Sequence, residues 1–137
     1  MSRIPEIQKV ASLSNQPLVA IIDDDNSLRT ALAGLARSMG YRVQLAASAD
    51  KYLTMIAQER PDCIITDIHM PGMDGIALKH WLDQHGYAIP LIMMTARTEE
   101  ILLARARNAQ PFCLLRKPFD ADQMVASIDR AVAEAAP

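Results

Sequence analysis

Apolar residues arrive in short uninterrupted runs that alternate with stretches of helical spacing. The first run, Leu18-Val19-Ala20-Ile21-Ile22, is apolar at every position, the pattern of a strand covered on both faces. Asp24, Asp25, Asn26 and Ser27 follow it, residues whose side chains start helices by accepting backbone N–H groups. Leu28, Ala31, Leu32, Leu35 and Met39 then recur at helical spacing, and Gly40 is a helix stop. The alternation repeats along the chain. It predicts strands over 42–46, 62–66, 89–95 and 112–116, and helices over 48–59, 74–85, 98–108 and 120–135. In the last helix Met124, Val125, Ile128 and Val132 share one face. Five strands and five helices in strict alternation predict a three-layer α/β fold, a five-stranded parallel sheet with right-handed crossovers and helices on both sides. Residues 1–17 stand apart. Bracketed by Pro5 and Pro17 and containing Ser12-Leu13-Ser14-Asn15-Gln16, they read as an N-terminal extension with one short helical piece over 6–11. Residues 18–137 form the domain.

Composition narrows the classes. The chain has 137 residues, enough for one domain with a real core and too few for two ordinary ones. Hydrophobic residues make up 50% and charged residues 22%, the balance of a soluble globular protein. The formal net charge of -2, with no cluster of Lys and Arg, argues against direct nucleic-acid binding. The longest apolar runs, such as Leu91-Ile92-Met93-Met94, fall far short of the roughly 20 residues that span a bilayer, and the N-terminus lacks the apolar core of a secretory signal. Cys63 and Cys113 lie in no CxxC or Cys/His group, so they read as packed thiols in a reducing cytoplasm. His69, His80 and His85 lack the spacing of a helical metal pair.

In open α/β sheets ligands bind beyond the carboxyl ends of the strands, so polar residues there carry the chemistry. Asp23 and Asp24 follow the first strand, Asp67 the third, Thr95 closes the fourth, and Lys117 follows the fifth. Each alone has a structural explanation: acids after a strand cap helices, and a lone Lys is a solvated surface charge. Together they bring three carboxylates, a hydroxyl and an ammonium to one edge of the sheet. Close carboxylates repel unless a cation intervenes or some are protonated. A hard divalent ion with oxygen ligands meets that need, and Mg²⁺ uses one or two carboxylates besides water and phosphate. One carboxylate is then placed to attack phosphorus, with the metal, the ammonium and the hydroxyl neutralising phosphoryl oxygens.

Four segments carry a family resemblance. Ile65-Thr66-Asp67-Ile68-His69-Met70-Pro71-Gly72-Met73-Asp74-Gly75 resembles the phosphoacceptor signature of the CheY-like receiver domains of two-component response regulators. Ile22-Asp23-Asp24-Asp25 resembles their acidic pocket, Met94-Thr95-Ala96 their switch threonine with its small follower, and Arg116-Lys117-Pro118-Phe119 their Lys-Pro motif. The match covers residues 18–134. The resemblance implies a sheet order of 2-1-3-4-5, with Asp67 taking a phosphoryl group from a histidine kinase or histidine phosphotransfer protein. It implies Mg²⁺ on Asp23, Asp24, Asp67 and the backbone carbonyl of His69. Thr95 and Lys117 would hold the phosphoryl group, the N–H groups of Ile68 and Ala96 would lie near its oxygens, and the Lys117-Pro118 bond would be cis. The protein would be cytoplasmic and not an enzyme, a switch that alters its helix 4–strand 5–helix 5 face to control a partner or an output domain. A homodimer fits as well, as do both a stand-alone receiver and a piece of a longer regulator. With the fourth strand between them, Cys63 and Cys113 stand two strand spacings apart, roughly 9.5 Å, too far for a disulfide with its reach of roughly 7 Å.

The chain departs from the family at several points. Leu114 stands where an aromatic residue usually rotates with the switch threonine, and Gln110-Pro111 replaces the usual Gly-Ala before the fifth strand. Pro111 has a fixed φ and no N–H, which predicts a stiffer loop. His69 and Arg97 border the position of the acyl phosphate, where they either tune its hydrolysis or point into solvent. Trp81 and the methionines 70, 73, 93 and 94 read as packing. The alternative function is a phosphorylation-independent receiver-like interaction module. An aspartate-dependent phosphatase of the haloacid dehalogenase type would want Asp where this chain has His69. A flavodoxin would want a Ser/Thr-rich phosphate loop where it has three acids.

Overall fold

The computed structural model describes residues 16–136; the short helix expected over 6–11 lies outside them. Five strands, β1 (Leu18–Ile22), β2 (Arg42–Ala46), β3 (Cys63–Asp67), β4 (Leu91–Thr95) and β5 (Cys113–Arg116), alternate with five helices, α1 (Asn26–Ser38), α2 (Ala49–Ile56), α3 (Gly75–Gln84), α4 (Glu100–Asn108) and α5 (Ala121–Ala135). The strands form one sheet in the order β2-β1-β3-β4-β5, and every neighbouring pair is parallel.

The sheet divides the core in two. On one face Val19, Ile21, Cys63, Ile65, Ile92 and Met94 pack against α1 and α5 through Leu32, Ala36, Met124 and Ile128. On the other, Ala20, Ile22, Ile64 and Met93 meet α2, α3 and α4 through Tyr52, Leu78, Leu82 and Ala106. This is why β1, and β3 and β4 up to their polar ends, read as apolar runs: alternate residues serve opposite cores, and all three strands are buried throughout. Each fully buried aliphatic side chain contributes about 1.5–3 kcal/mol. The edge strands β2 and β5 are only partly buried for most of their length, which fits Arg42, Gln44 and Arg116 on them.

Most helices start on a side chain of the expected kind. Asp25 caps α1, Ser48 caps α2, Asp74 caps α3, and Asp120 with Gln123 makes a reciprocal capping box on α5. α4 lacks such a bond at its cap, Glu99, and begins two residues later than the periodicity predicts. β4 begins at Leu91 rather than 89, because Pro90 has no N–H to give the ladder; its carbonyl still accepts from Ile64 at 3.0 Å. β3 begins one residue later than expected, with the carboxylate of Asp62 accepting from the Leu18 N–H at 2.8 Å. Met70, Met93 and Met94 are buried, Met73 and Trp81 are partly buried against the core, and both cysteines are free.

The turn out of α4 carries a backbone irregularity. Gln110 has φ 57° and donates its N–H to the Arg107 carbonyl at 2.9 Å. This is the left-handed position that commonly ends a helix and that glycine occupies without steric conflict. A residue with a Cβ is disfavoured there by about 1–2 kcal/mol, an amount partly offset by the extra freedom glycine has when unfolded. Gln110→Gly is expected to raise stability by about 1 kcal/mol, read as a higher urea midpoint at unchanged m.

Candidate functional site

The strand order reverses at β1, whose neighbours are β2 and β3, so the crevice of this fold opens at the carboxyl ends of β1 and β3. Asp23 follows β1 with its N–H donating to the Ala46 carbonyl at 3.1 Å, which continues the ladder to β2 one residue past the strand. The Asp23 side chain is fully buried, and its Oδ1 accepts from the Asp25 N–H at 2.9 Å. Asp24 is exposed on the same loop. Asp67 is the last residue of β3 and only 7% exposed. One carboxylate oxygen from each of Asp23, Asp24 and Asp67 falls within a cluster no wider than 4.8 Å.

Lys117, just past β5, supplies the balancing charge. Its Nζ lies 3.4 Å from Asp23 Oδ2 and 3.2 Å from Asp67 Oδ1, and its N–H donates to the Thr95 carbonyl at 2.8 Å. The Lys117-Pro118 bond is cis. One ammonium against three carboxylates leaves the cluster with a formal charge of minus two. Burial raises the Asp67 carboxyl above the ordinary carboxylate value; Lys117 opposes this, and the neighbouring Asp23 charge adds to it. The donor set is all oxygen, two of its three carboxylates are buried, and it lacks positive charge. That suits a small hard dication such as Mg²⁺.

The floor of the site is backbone. The Gly75 N–H donates to the Ile68 carbonyl at 2.9 Å, and a Cβ on Gly75 would stand 2.6 Å from the Asp67 carbonyl oxygen and 3.0 Å from Ile68 Cα. Gly75 lies in the phosphoacceptor signature, where spacing alone assigns it no role. Its signal was a glycine at a first helical position, where backbone angles do not demand one, and there glycine marks a close approach.

The remaining candidates are placed unevenly. Thr95 is fully buried at the end of β4, and its hydroxyl accepts from the Arg97 N–H at 3.0 Å, so it is committed to a local turn. Ala96 is exposed. The Ile68 N–H, expected near the phosphoryl oxygens, donates to the Met94 carbonyl at 2.9 Å and extends the β3–β4 ladder. Leu114 pairs in register with Met93 and packs against the α2–α3–α4 core, so it is a packed strand residue. Of the two flanking side chains, Arg97 points into solvent, 60% exposed and 3.9 Å from Glu99. His69 does not: its Nε2 is buried and unpartnered. The two line a cleft of about 400 Å³ with Met70, Pro71, Gly72 and Asp74. Arg29, which no spacing or motif marks as part of the site, donates through Nη1 to the Asp23 carbonyl at 2.6 Å.

These features match a known family. Residues 19–129 match the response regulator receiver domain, and the chain belongs to that family, the receivers of two-component systems. It is 35% identical over 115 residues to the DNA-binding transcriptional regulator NtrC of Salmonella typhimurium, covering 84% of this chain and 24% of that protein. To the transcriptional regulatory protein FixJ of Bradyrhizobium diazoefficiens it is 31% identical over 119 residues, 87% of this chain and 58% of that protein. The chain thus spans about a quarter of the one and somewhat over half of the other. Among solved structures it resembles a putative response regulator from Chloroflexus aurantiacus at 30% identity and a TM-score of 0.80, covering 87% of this chain and 99% of that one. No helix among the described residues is long and apolar enough to cross a membrane.

Two outcomes follow from the geometry. Gly75→Ala is expected to cost about 1–3 kcal/mol, the range of an overpacked site, because its Cβ meets backbone that cannot swing away; urea unfolding checks this. Asp67 has a folded pKa above its unfolded one, so ionising it at neutral pH opposes folding, and stability falls as pH rises from the unfolded value through the folded one. In Mg²⁺-free buffer Asp67→Asn is therefore expected to melt higher than the parent at pH 7, with the difference shrinking as pH drops below the ordinary aspartate range. A lower melting temperature at pH 7 contradicts this account of the site.

Proposed function

We propose that this chain is a phosphorylation-controlled switch in which Asp67 accepts a phosphoryl group from a phosphohistidine on a sensor kinase or phosphotransfer protein. One observation carries the reading: a nearly buried carboxylate at the end of β3 lies 3.2 Å from an ammonium and clusters with two further carboxylates that need a cation. Asp23, Asp24 and Asp67, with the His69 carbonyl, would hold Mg²⁺. When bound, the ion supplies charge neutralisation for the carboxylates and for the incoming phosphoryl oxygens.

The chain's own residues do the rest. An Asp67 carboxylate oxygen attacks phosphorus, a P–O bond forms, the P–N bond of the donor breaks, and its electron pair stays on the departing imidazole nitrogen. Burial makes Asp67 more basic than a solvated aspartate, which favours attack. Lys117 Nζ already bridges Asp23 and Asp67 and is placed to follow the negative charge onto the phosphoryl oxygens. The Thr95 hydroxyl exchanges its turn with Arg97 for the phosphoryl group, drawing in the segment that leads to α4. Ala96 follows Thr95 and offers its N–H to the same oxygens. Because Leu114 is packed and not an aromatic rotor, the change passes through backbone: the Lys117 N–H to Thr95 carbonyl bond ties β4 to β5, and α4, β5 and α5 form the face that a partner or output domain reads. His69, whose Nε2 is buried, borders the mixed anhydride and sets how water reaches it, while Arg97 lies at the solvent side of the same cleft.

The test is incubation with acetyl phosphate and Mg²⁺ followed by intact mass measurement. One phosphoryl adduct is expected on the parent and none on Asp67→Asn, with labelling lost in excess EDTA and strongly reduced in Lys117→Ala. A parent that stays unlabelled while a reference receiver labels overturns the switch and leaves a phosphorylation-independent interaction module. An adduct on Asp67→Asn overturns the assignment of the acceptor.

A further inference from the structure

We infer that Arg29 is a positioning residue for the divalent cation, holding the loop that carries Asp23 and Asp24 in its binding conformation. The inference rests on the metal-dependent reading of the acidic cluster. Arg29 lies in the first turn of α1, half buried, and its guanidinium folds back over the loop. Nη1 donates to the Asp23 carbonyl at 2.6 Å and Nη2 to Asn26 Oδ1 at 2.7 Å. The two arms of one rigid planar group thus tie the residue after β1 to the first residue of α1, across the segment that bears both acids.

The rest of that loop is fixed by weaker or different means. The Asp23 carboxylate is oriented by the Asp25 N–H and by Lys117. Asp25 is spent on capping, accepting from the Ser27 and Leu28 N–H groups at 2.9 and 3.1 Å. Asp24 is exposed, and the backbone around it sets where its side chain starts. Arg29 grips the peptide unit that joins Asp23 to Asp24. That grip fixes the path of the backbone between the two acids whose carboxylates meet in the 4.8 Å cluster.

Charge and clamp predict opposite signs. A guanidinium near a dication repels it, so a residue acting only through its charge would weaken metal binding, and its removal would tighten it. A residue acting by preorganisation strengthens binding, and its removal costs affinity, commonly about 10–100-fold for a group that orients metal ligands. The charge-assisted bond at 2.6 Å favours the second, since bonds of that kind are the stronger ones.

The experiment is calorimetric titration of the full chain with MgCl₂, alongside acetyl phosphate labelling across a range of Mg²⁺ concentrations. Arg29→Ala is expected to weaken Mg²⁺ binding about tenfold or more, with the labelling rate returning to the parent value at saturating Mg²⁺. Arg29→Lys keeps the charge but not the two-armed grip, and is expected to fall between the two. Unchanged or tighter binding in Arg29→Ala overturns the inference, as does a labelling rate that stays low at saturating Mg²⁺. If circular dichroism shows Arg29→Ala unfolded, Arg29→Lys carries the test, and parental affinity in it overturns the clamp. A parent that binds no Mg²⁺ removes the metal reading itself, and this inference with it.

Discussion

Lys117 holds together two buried carboxylates that would otherwise repel each other, and the geometry of the site follows from that contact. Asp23 and Asp67 end neighbouring strands whose other residues are sealed between two apolar cores. Neither acid can retreat into solvent without unravelling its strand. A buried charge stripped of its partner is strongly destabilising, so the ammonium at 3.4 and 3.2 Å is a condition for the acids to remain where they are. It is not a sufficient one. Asp24 adds a third charge at the rim, and the Asp67 carboxyl is still pushed above its ordinary value. The cluster is thus left short of positive charge, the imbalance that the proposed Mg²⁺ would meet.

The parallel sheet explains why these groups meet at all. Strands buried on both faces leave only their ends for chemistry, and parallel connection puts every carboxyl end on the same side. β1, β3, β4 and β5 therefore deliver Asp23, Asp67, Thr95 and Lys117 to one rim although they span nearly a hundred positions of sequence. The helices complete the arrangement. α1 carries Arg29, which reaches back to the Asp23 carbonyl, and α3 enters so closely behind Asp67 that only a glycine fits at Gly75.

Much of this was legible in the chain. Apolar runs marked β1 and β4, and helix-starting acids marked α1, α3 and α5, because burial on two faces and capping leave direct compositional marks; β2, α2 and α4 rested on the alternation. The candidate site was legible only as a conjunction: each polar residue at a strand end has a structural use of its own, and their shared edge of the sheet is what points to chemistry. The order of the strands was not derivable from periodicity and came from family resemblance. Boundaries slipped where a local bond was missing, as with Pro90, which has no N–H, and the uncapped start of α4. The partners of backbone groups were invisible. Nothing in the sequence says that the Ile68 N–H is taken by Met94, that Thr95 turns to Arg97, or that Arg29 reaches back to Asp23. Hydrogen bonds between residues of distant strands, or between a long side chain and a carbonyl behind it, have no spacing rule.

β5 is an edge strand of four residues, none of them fully buried, and Lys117 hangs from its end. The cation of the site is therefore carried by an element with little protection on one flank, while the acids it restrains sit on interior strands. Local opening of an edge strand takes less free energy than global unfolding. Each such excursion would leave Asp23 and Asp67 facing each other alone while the rest of the fold stayed intact. The fraction of molecules with a complete site is thus set by the fraying of a short strand, a local equilibrium distinct from the stability of the domain.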